Sequence, residues 1–264
     1  MCCTKDNIYV IDNKKLYAVG YNDQMQINST KNSYIEMLTP MALPTHLGPI
    51  SLACTKNDLY ILAYDNITKK KIIYNNGYVV KNIQGNLLNI MDGPENIFII
   101  TTKGIYYDNK KMNITNVLYI SYDYDQGYII GHKGLWTYKL NGNINAKKLL
   151  DVDSVYGGNN DILCVSNGID FVLVLTTMGL YRKENKTNFT KVPINNVKYV
   201  CCISNKSFVL TNDGKVYMLE NDTRPILIIN NISAMESGYN NVIARDTNNN
   251  YYKFISYTNV FIKI

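Results

Sequence analysis

Two histidines, six cysteines and 21 acidic residues are the groups in this 264-residue chain that could act as bases, nucleophiles or metal ligands. His46 follows Pro44-Thr45 in an irregular stretch, and His132 sits in the turn-like Gly131-His132-Lys133-Gly134, where an exposed polar residue is expected. With so few imidazoles, a Ser-His-Asp arrangement or His-based acid–base chemistry has little material. Neither a phosphate-cradling Walker loop nor a dinucleotide fingerprint occurs. Asp123-Tyr124-Asp125 and Asp151-Val152-Asp153 would place each acidic pair on one side of an extended chain, where it could hold a cation. Carboxylates that cap turns are the better reading. The expectation is therefore no catalytic residue, no cofactor and no metal: a protein that is not an enzyme.

The cysteines are Cys2, Cys3, Cys54, Cys164, Cys201 and Cys202. Vicinal pairs such as Cys2-Cys3 and Cys201-Cys202 lack the C-x-x-C spacing of a zinc knuckle, and in a strand their side chains diverge to opposite faces. A chain this long does not need a disulfide framework. The N-terminus lacks the layout of a secretory signal, and no stretch reaches the roughly 18 apolar residues of a membrane helix. These features predict buried structural thiols in an intracellular protein of cytoplasm or nucleus, with no membrane partner.

Charge names no partner by itself. The net value is +6, but only 18% of residues are charged, and three Arg stand beside 24 Lys. Binding of nucleic acid through scattered Lys is compatible with this balance, while the scarcity of Arg argues against base and phosphate recognition. Asn (37 residues) and Tyr (23) are in surplus, as AT-rich codon usage would produce, which suggests a viral or protist source and, if viral, a place in the virion. Tyrosine is the one abundant type suited to an interface, because it covers much area at low entropy cost. Tyr122, Tyr124 and Tyr128 are the candidate interface; packing within strands is the competing role.

The elements that must position these residues repeat along the chain. Met1 to Ile11 resembles Leu52 to Leu62, and a third copy starts at Val200. A shorter unit recurs more often, as in Phe98-Ile99-Ile100-Thr101-Thr102-Lys103-Gly104-Ile105-Tyr106 and Leu173-Val174-Leu175-Thr176-Thr177-Met178-Gly179-Leu180-Tyr181. β-Branched or aromatic residues make a strand, a polar turn with Gly reverses the chain, and a second strand opens with an aromatic. Gly104, Gly134, Gly179 and Gly214 occupy the turns, where positive φ is often required. Tyr17, Tyr74, Tyr106, Trp136, Tyr181, Tyr217 and Tyr252 mark seven units, about 39 residues apart on average. No helical periodicity competes. A period near 40 with about four strands per unit matches a β-propeller. The expected fold is all-β: a single seven-bladed β-propeller of short antiparallel strands, with blades near 1–48, 49–86, 87–117, 118–152, 153–197, 198–232 and 233–264. The apolar strand Val260 to Ile264 completes blade seven or pairs into blade one, and removing 259–264 would expose a strand edge.

The first unit carries a more specific string, Leu16-Tyr17-Ala18-Val19-Gly20-Tyr21-Asn22-Asp23-Gln24-Met25-Gln26-Ile27. It resembles the repeat of the regulator of chromosome condensation family, roughly L-Y-x-W-G-x-N-x-x-G-Q-L-G. Leu16, Tyr17, Gly20, Asn22 and Gln26 match; Val19 stands for Trp, and Met25 and Asn28 for Gly. The family's Gly-x-x-His step is missing, and later units are shorter than its roughly 50 residues. What the resemblance implies is a divergent, trimmed propeller with Gly20, Asn22 and Gln26 as structural motif residues. The expected function is a non-catalytic scaffold that binds a protein partner. The alternative that the resemblance implies is a chromatin- or nucleic-acid-associated protein, or a guanine-nucleotide exchange factor for a small GTPase.

Overall fold

A computed structural model describes residues 1–23, 27, 33–80, 83–93, 95–112, 114, 117, 119–123, 126–131, 134–139, 147–151, 162–168, 170–184, 188–220, 224–238 and 241–264. Its strands form seven four-stranded antiparallel sheets, each built from four consecutive strands, and the described residues contain no helix. Sheet one holds β1 (Cys2–Cys3), β2 (Asn7–Asp12), β3 (Lys15–Tyr21) and β4 (Tyr34–Pro40). Sheet two holds β5 (Leu47–Cys54), β6 (Leu59–Asp65), β7 (Lys70–Asn75) and β8 (Tyr78–Val79). Sheet three holds β9 (Leu87–Met91), β10 (Phe98–Thr101), β11 (Gly104–Tyr107) and β12 (Lys110–Lys111). Sheet four holds β13 (Tyr119–Asp123), β14 (Gln126–Gly131), β15 (Gly134–Lys139) and β16 (Lys147–Asp151). Sheet five holds β17 (Ile162–Asn167), β18 (Phe171–Thr176), β19 (Gly179–Glu184) and β20 (Thr190–Lys191). Sheet six holds β21 (Val197–Ile203), β22 (Lys206–Thr211), β23 (Val216–Glu220) and β24 (Ile226–Ile229). Sheet seven holds β25 (Ile232–Gly238), β26 (Asn241–Asp246), β27 (Tyr251–Ile255) and β28 (Val260–Lys263). This is the strand plan of a seven-bladed β-propeller. Three blades start slightly ahead of the expected borders, with β5, β21 and β25 beginning at Leu47, Val197 and Ile232. The linkers are short, and ladder register sets the start of each blade.

The aromatics that mark the repeat all lie on third strands. Tyr17, Tyr74, Tyr106, Trp136, Tyr181 and Tyr217 each face a β-branched residue of the second strand: Val10, Ile61, Ile99, Ile129, Val174 and Val209. Such cross-strand pairs stabilise a sheet and fix its register. Turns give part of the asparagine surplus a structural place. Among the described residues, Asn13, Asn76, Asn109, Asn196, Asn231, Asn249 and Asn259 all have positive φ. Asn tolerates that left-handed backbone better than most residues.

Contacts group the chain into two compact units. One comprises Met1–Lys111, Gly238–Ile243 and Lys263–Ile264; the other comprises Met112–Ser237 and Ala244–Ile262. In the first unit, one apolar cluster joins Tyr9, Leu16 and Ala18 to Leu59, Ile61 and Ala63, and another joins Leu62 and Ile73 to Ile90 and Ile97. In the second, Leu173, Leu175 and Leu180 pack with Val200, Val209 and Leu219. Each cluster draws on consecutive blades, because one short sheet cannot bury both faces alone. First strands of successive blades lie side by side, as β1 with β5 and β17 with β21.

Two sequence-based expectations resolve here. The strand at Val260 completes the seventh blade, since β28 is its fourth strand. The expectation of free thiols throughout is corrected at one pair: Cys2 and Cys54 form a disulfide across 52 positions, with Cα atoms 5.8 Å apart. Neighbouring first strands bring them together, a juxtaposition that linear spacing does not display. Cys3, Cys164, Cys201 and Cys202 are buried outside any disulfide.

Phe208, Phe254 and Phe261 form an aromatic trio across blades six and seven, with ring centroids 4.7, 5.4 and 6.3 Å apart. Phe208 is fully buried, so Phe208→Ala is expected to cost about 3–5 kcal/mol in urea unfolding. Tyr257→Ala, at a 90% exposed site, should stay within about 0.5 kcal/mol of the parent.

Candidate functional site

The matched motif residues in unit one hold a loop in shape. Gly20 has φ of +131°, and a Cβ there would sit 2.3 Å from both the Asp6 carbonyl oxygen and Asn7 Oδ1. Only glycine permits that approach. Asn22 is buried, and its Oδ1 accepts the Ile27 N–H at 2.8 Å while its own N–H donates to the Ser33 carbonyl at 2.9 Å. Gly20 thus lets β3 lie close against the start of β2, and Asn22 joins Ile27 and Ser33. Gln26, Tyr124 and His132, and the side chain of Tyr122, lie outside the described residues.

Tyr128 is half-buried and packs against the cluster of Ile130, Leu135, Ile162, Val165, Val172 and Val174. The structure therefore places Tyr128 in packing between blades. Strongly exposed tyrosines stand elsewhere, at Tyr78 and Tyr257.

A repeated device orders the turns after the second strands. Five of these strands, β6, β10, β18, β22 and β26, end on a buried residue whose side-chain oxygen closes the hairpin: Asp65, Thr101, Thr176, Thr211 and Asp246. The Thr176 hydroxyl accepts the Met178 N–H at 3.1 Å and donates to the Gly179 carbonyl at 3.2 Å, and Thr101 does the same with Lys103 and Gly104. The Asp246 carboxylate accepts N–H groups from Asn248 and Asn250 at 2.8 and 2.9 Å and the Tyr252 hydroxyl at 3.2 Å. The next residue then donates its N–H to the carbonyl just before the first strand of the same blade. Four such clips join Asn66 to His46, Thr102 to Asn86, Asn212 to Asn196 and Thr247 to Asn231, at 2.8–3.0 Å. His46 thus contributes a backbone carbonyl.

First strands carry a second repeated device. A β-bulge inserts Ile50 in β5, Leu88 in β9, Leu163 in β17 and Lys198 in β21. Bulges re-aim side chains, and all four inserted residues are exposed. Strict alternation in the sequence hides this outward turn.

In the second unit these devices surround a recess of about 510 Å³, lined by Leu163, Thr177, Met178, Lys191, Asn195 and Asn212 among others. A smaller cavity of about 300 Å³ lies across the linker, with Asp213 and Tyr217 in its wall; Ile194, Asn195 and Asn196 line both. Gly179 has φ of +134°, and a Cβ there would meet the Lys191 Cε at 3.0 Å. The bare glycine thus lets the lysine stem lie across the hairpin. Gly104 and Lys111 repeat that contact in blade three. Gly214 also has positive φ, whereas Gly134 is described only as the first residue of β15.

Reactive groups are subdued. Burial pushes the Cys201 thiol well up, reinforced by the nearby Glu236 carboxylate, so it stays protonated and a poor nucleophile. Burial also raises Glu236, opposed by the hydrogen bond it accepts from the Tyr199 hydroxyl at 2.8 Å. Among the described residues no three His, Cys, Asp or Glu are placed to hold a metal, and no helix is long and apolar enough to cross a membrane.

No protein-family profile matches the sequence, and no curated protein does. Solved structures do match. The human WBSCR16 structure aligns with a TM-score of 0.68 at 12% identity, covering 93% of this chain and 86% of that one. Prp20p from Saccharomyces cerevisiae, described with its binding to Gsp1p and histones, aligns with 0.70 at 14%, covering 92% and 81%. Yeast RCC1 (Prp20), in its complex with Kap60, aligns with 0.68 at 14%, covering 90% and 77%. The chain has the fold of the yeast RCC1 propeller. The string from Leu16 to Ile27 leads to the same fold expectation.

Because Asn22 Oδ1 satisfies a buried N–H, Asn22→Ala should cost about 1–3 kcal/mol, read as a shift in the urea midpoint at unchanged slope. Gly20→Ala should cost more, since the Asp6 carbonyl it meets is backbone and cannot swing away.

Acid sensitivity follows from the turn carboxylates. Asp65 is held below the usual carboxylate range by the Thr68 hydroxyl and the Ile67 N–H, Asp213 by Lys215 and Thr211, and Asp246 by Asn250. Their folded-state values are lowered, so their stabilisation is complete above the unfolded value near pH 4 and is lost as pH falls through the folded values. Glu236 has the opposite sign, since its protonation on acidification relieves a buried charge. Its contribution is complete once pH has dropped to the unfolded value, so melting temperature should not fall from pH 7 to about 5 and should fall below about 4. Asp246→Asn should flatten that acid limb. A melting temperature that stays level below about pH 4 would show that these three carboxylates do not carry the acid sensitivity.

Proposed function

We propose that this chain is a non-catalytic interaction module, a divergent propeller of the regulator of chromosome condensation family that presents its ordered turns and linkers to a protein partner. The observation that carries the reading is the set of four backbone clips, each of which ties a hairpin to the linker entering its own blade. A surface fixed in this way is preformed, so a partner need not supply the entropy of ordering it. Fold likeness supports the same reading, because Prp20p is described as binding Gsp1p and histones, and yeast RCC1 as bound by Kap60.

That likeness also supports a second reading, association with chromatin or exchange of guanine nucleotide on a small GTPase. The net charge of +6 is compatible with an acidic partner.

Affinity isolation of the full chain at physiological salt separates the two. A stoichiometric protein that stays bound after nuclease treatment is the expected result, together with no acceleration of GDP release from GTPases recovered in the same isolate. Recovery that vanishes with nuclease, and duplex-DNA affinity that falls steeply between low and physiological salt, would favour the nucleic-acid reading. Accelerated GDP release would favour exchange.

A further inference from the structure

Resting on the interaction-module reading, we propose that the recess between the hairpins of blades five and six binds an extended peptide that carries an acidic side chain flanked by apolar residues. Lys191 supplies the charge. Among the described residues its ammonium makes no ion pair, whereas Lys215 is held by Asp213 at 2.7 Å and Lys206 by Glu220 at 3.4 Å. Its stem lies across Gly179, which brings the ammonium to the hairpin.

The rest of the lining suits a peptide. Asn195, Asn196 and Asn212 bring side-chain amides that can both donate to and accept from a peptide backbone. Leu163 and Met178, each more than half exposed, supply apolar surface for the residues beside the acid. Leu163 is there because β17 carries the bulge that turns it outward. Bulge, bare glycine and clip at Asn196 each contribute one wall of the same recess. Nucleic acid fits less well. A phosphate backbone is held by several cations, yet among the described residues Lys191 is the single cation in this lining, and Asp213 faces the adjoining cavity.

A displayed library of random dodecapeptides, selected on the full chain and counter-selected on Lys191→Glu, tests the assignment. Lys191 is exposed, so Lys191→Glu should melt with the parent, and Lys191→Arg should retain binding. The expected result is enrichment of sequences with Asp or Glu between apolar residues. A synthetic peptide of the enriched sequence should bind at least tenfold more weakly to Lys191→Glu and to Met178→Asp. Peptides without an acid, peptides indifferent to both variants, or no enrichment would overturn the assignment. An oligothymidylate that binds in a Lys191-dependent way and displaces the peptide would overturn it in favour of nucleic acid. In each of those cases a protein partner retained by affinity isolation would leave the interaction-module reading standing. Failure to retain any protein there, with peptide selection successful, would remove the broader reading alone.

Discussion

The hairpin after the second strand closes around a buried hydroxyl or carboxylate, and much of the molecule depends on that closure. Asp65, Thr101, Thr176, Thr211 and Asp246 each sit almost out of water at a strand end, where an unpartnered polar group would be costly. Their cost is offset only when the turn folds tightly enough to deliver its own N–H and carbonyl groups. In four blades the same closure also brings the following N–H to the carbonyl that opens the first strand. Turn, linker and first strand are therefore set together, blade by blade. Apolar packing between neighbouring sheets then acts on units whose edges are already aligned.

Much of the architecture was legible in the sequence because a propeller repeats its periodic features. The aromatic on each third strand recurs at Tyr17, Tyr74 and their counterparts, and it recurs because it must face a β-branched partner across the ladder. Gly104, Gly179 and Gly214 announced their turns because their positive φ excludes most residues. Gly20 and Asn22 were readable as a motif, and close approach and a buried N–H give the physical grounds.

The rest was hidden for identifiable reasons. A clip between backbone groups makes no use of the side chain: three of the four accepting residues are Asn86, Asn196 and Asn231, while His46 fills the same place. The Cys2–Cys54 bond depends on which strands become neighbours, a property of the stacked fold. Tyr128 drew notice as one of several clustered tyrosines, but its position on β14 turns it into the packing between blades. Lys191 was one lysine among 24, and nothing in its local sequence shows that Gly179, a dozen positions earlier, makes room for it.

The bulges in the first strands carry a consequence for how such a chain changes over generations. Ile50, Leu88, Leu163 and Lys198 occupy one structural position, yet they span aliphatic and cationic chemistry. Each is excused from ladder pairing, so replacing it leaves register and core untouched. Substitution at these four places is therefore separated from the packed interior, and what it changes is the display: apolar surface at Leu163, a bond to the Ser233 carbonyl at Lys198. A lineage of such propellers can exchange what its blades display, one residue at a time, without passing through an unfolded ancestor.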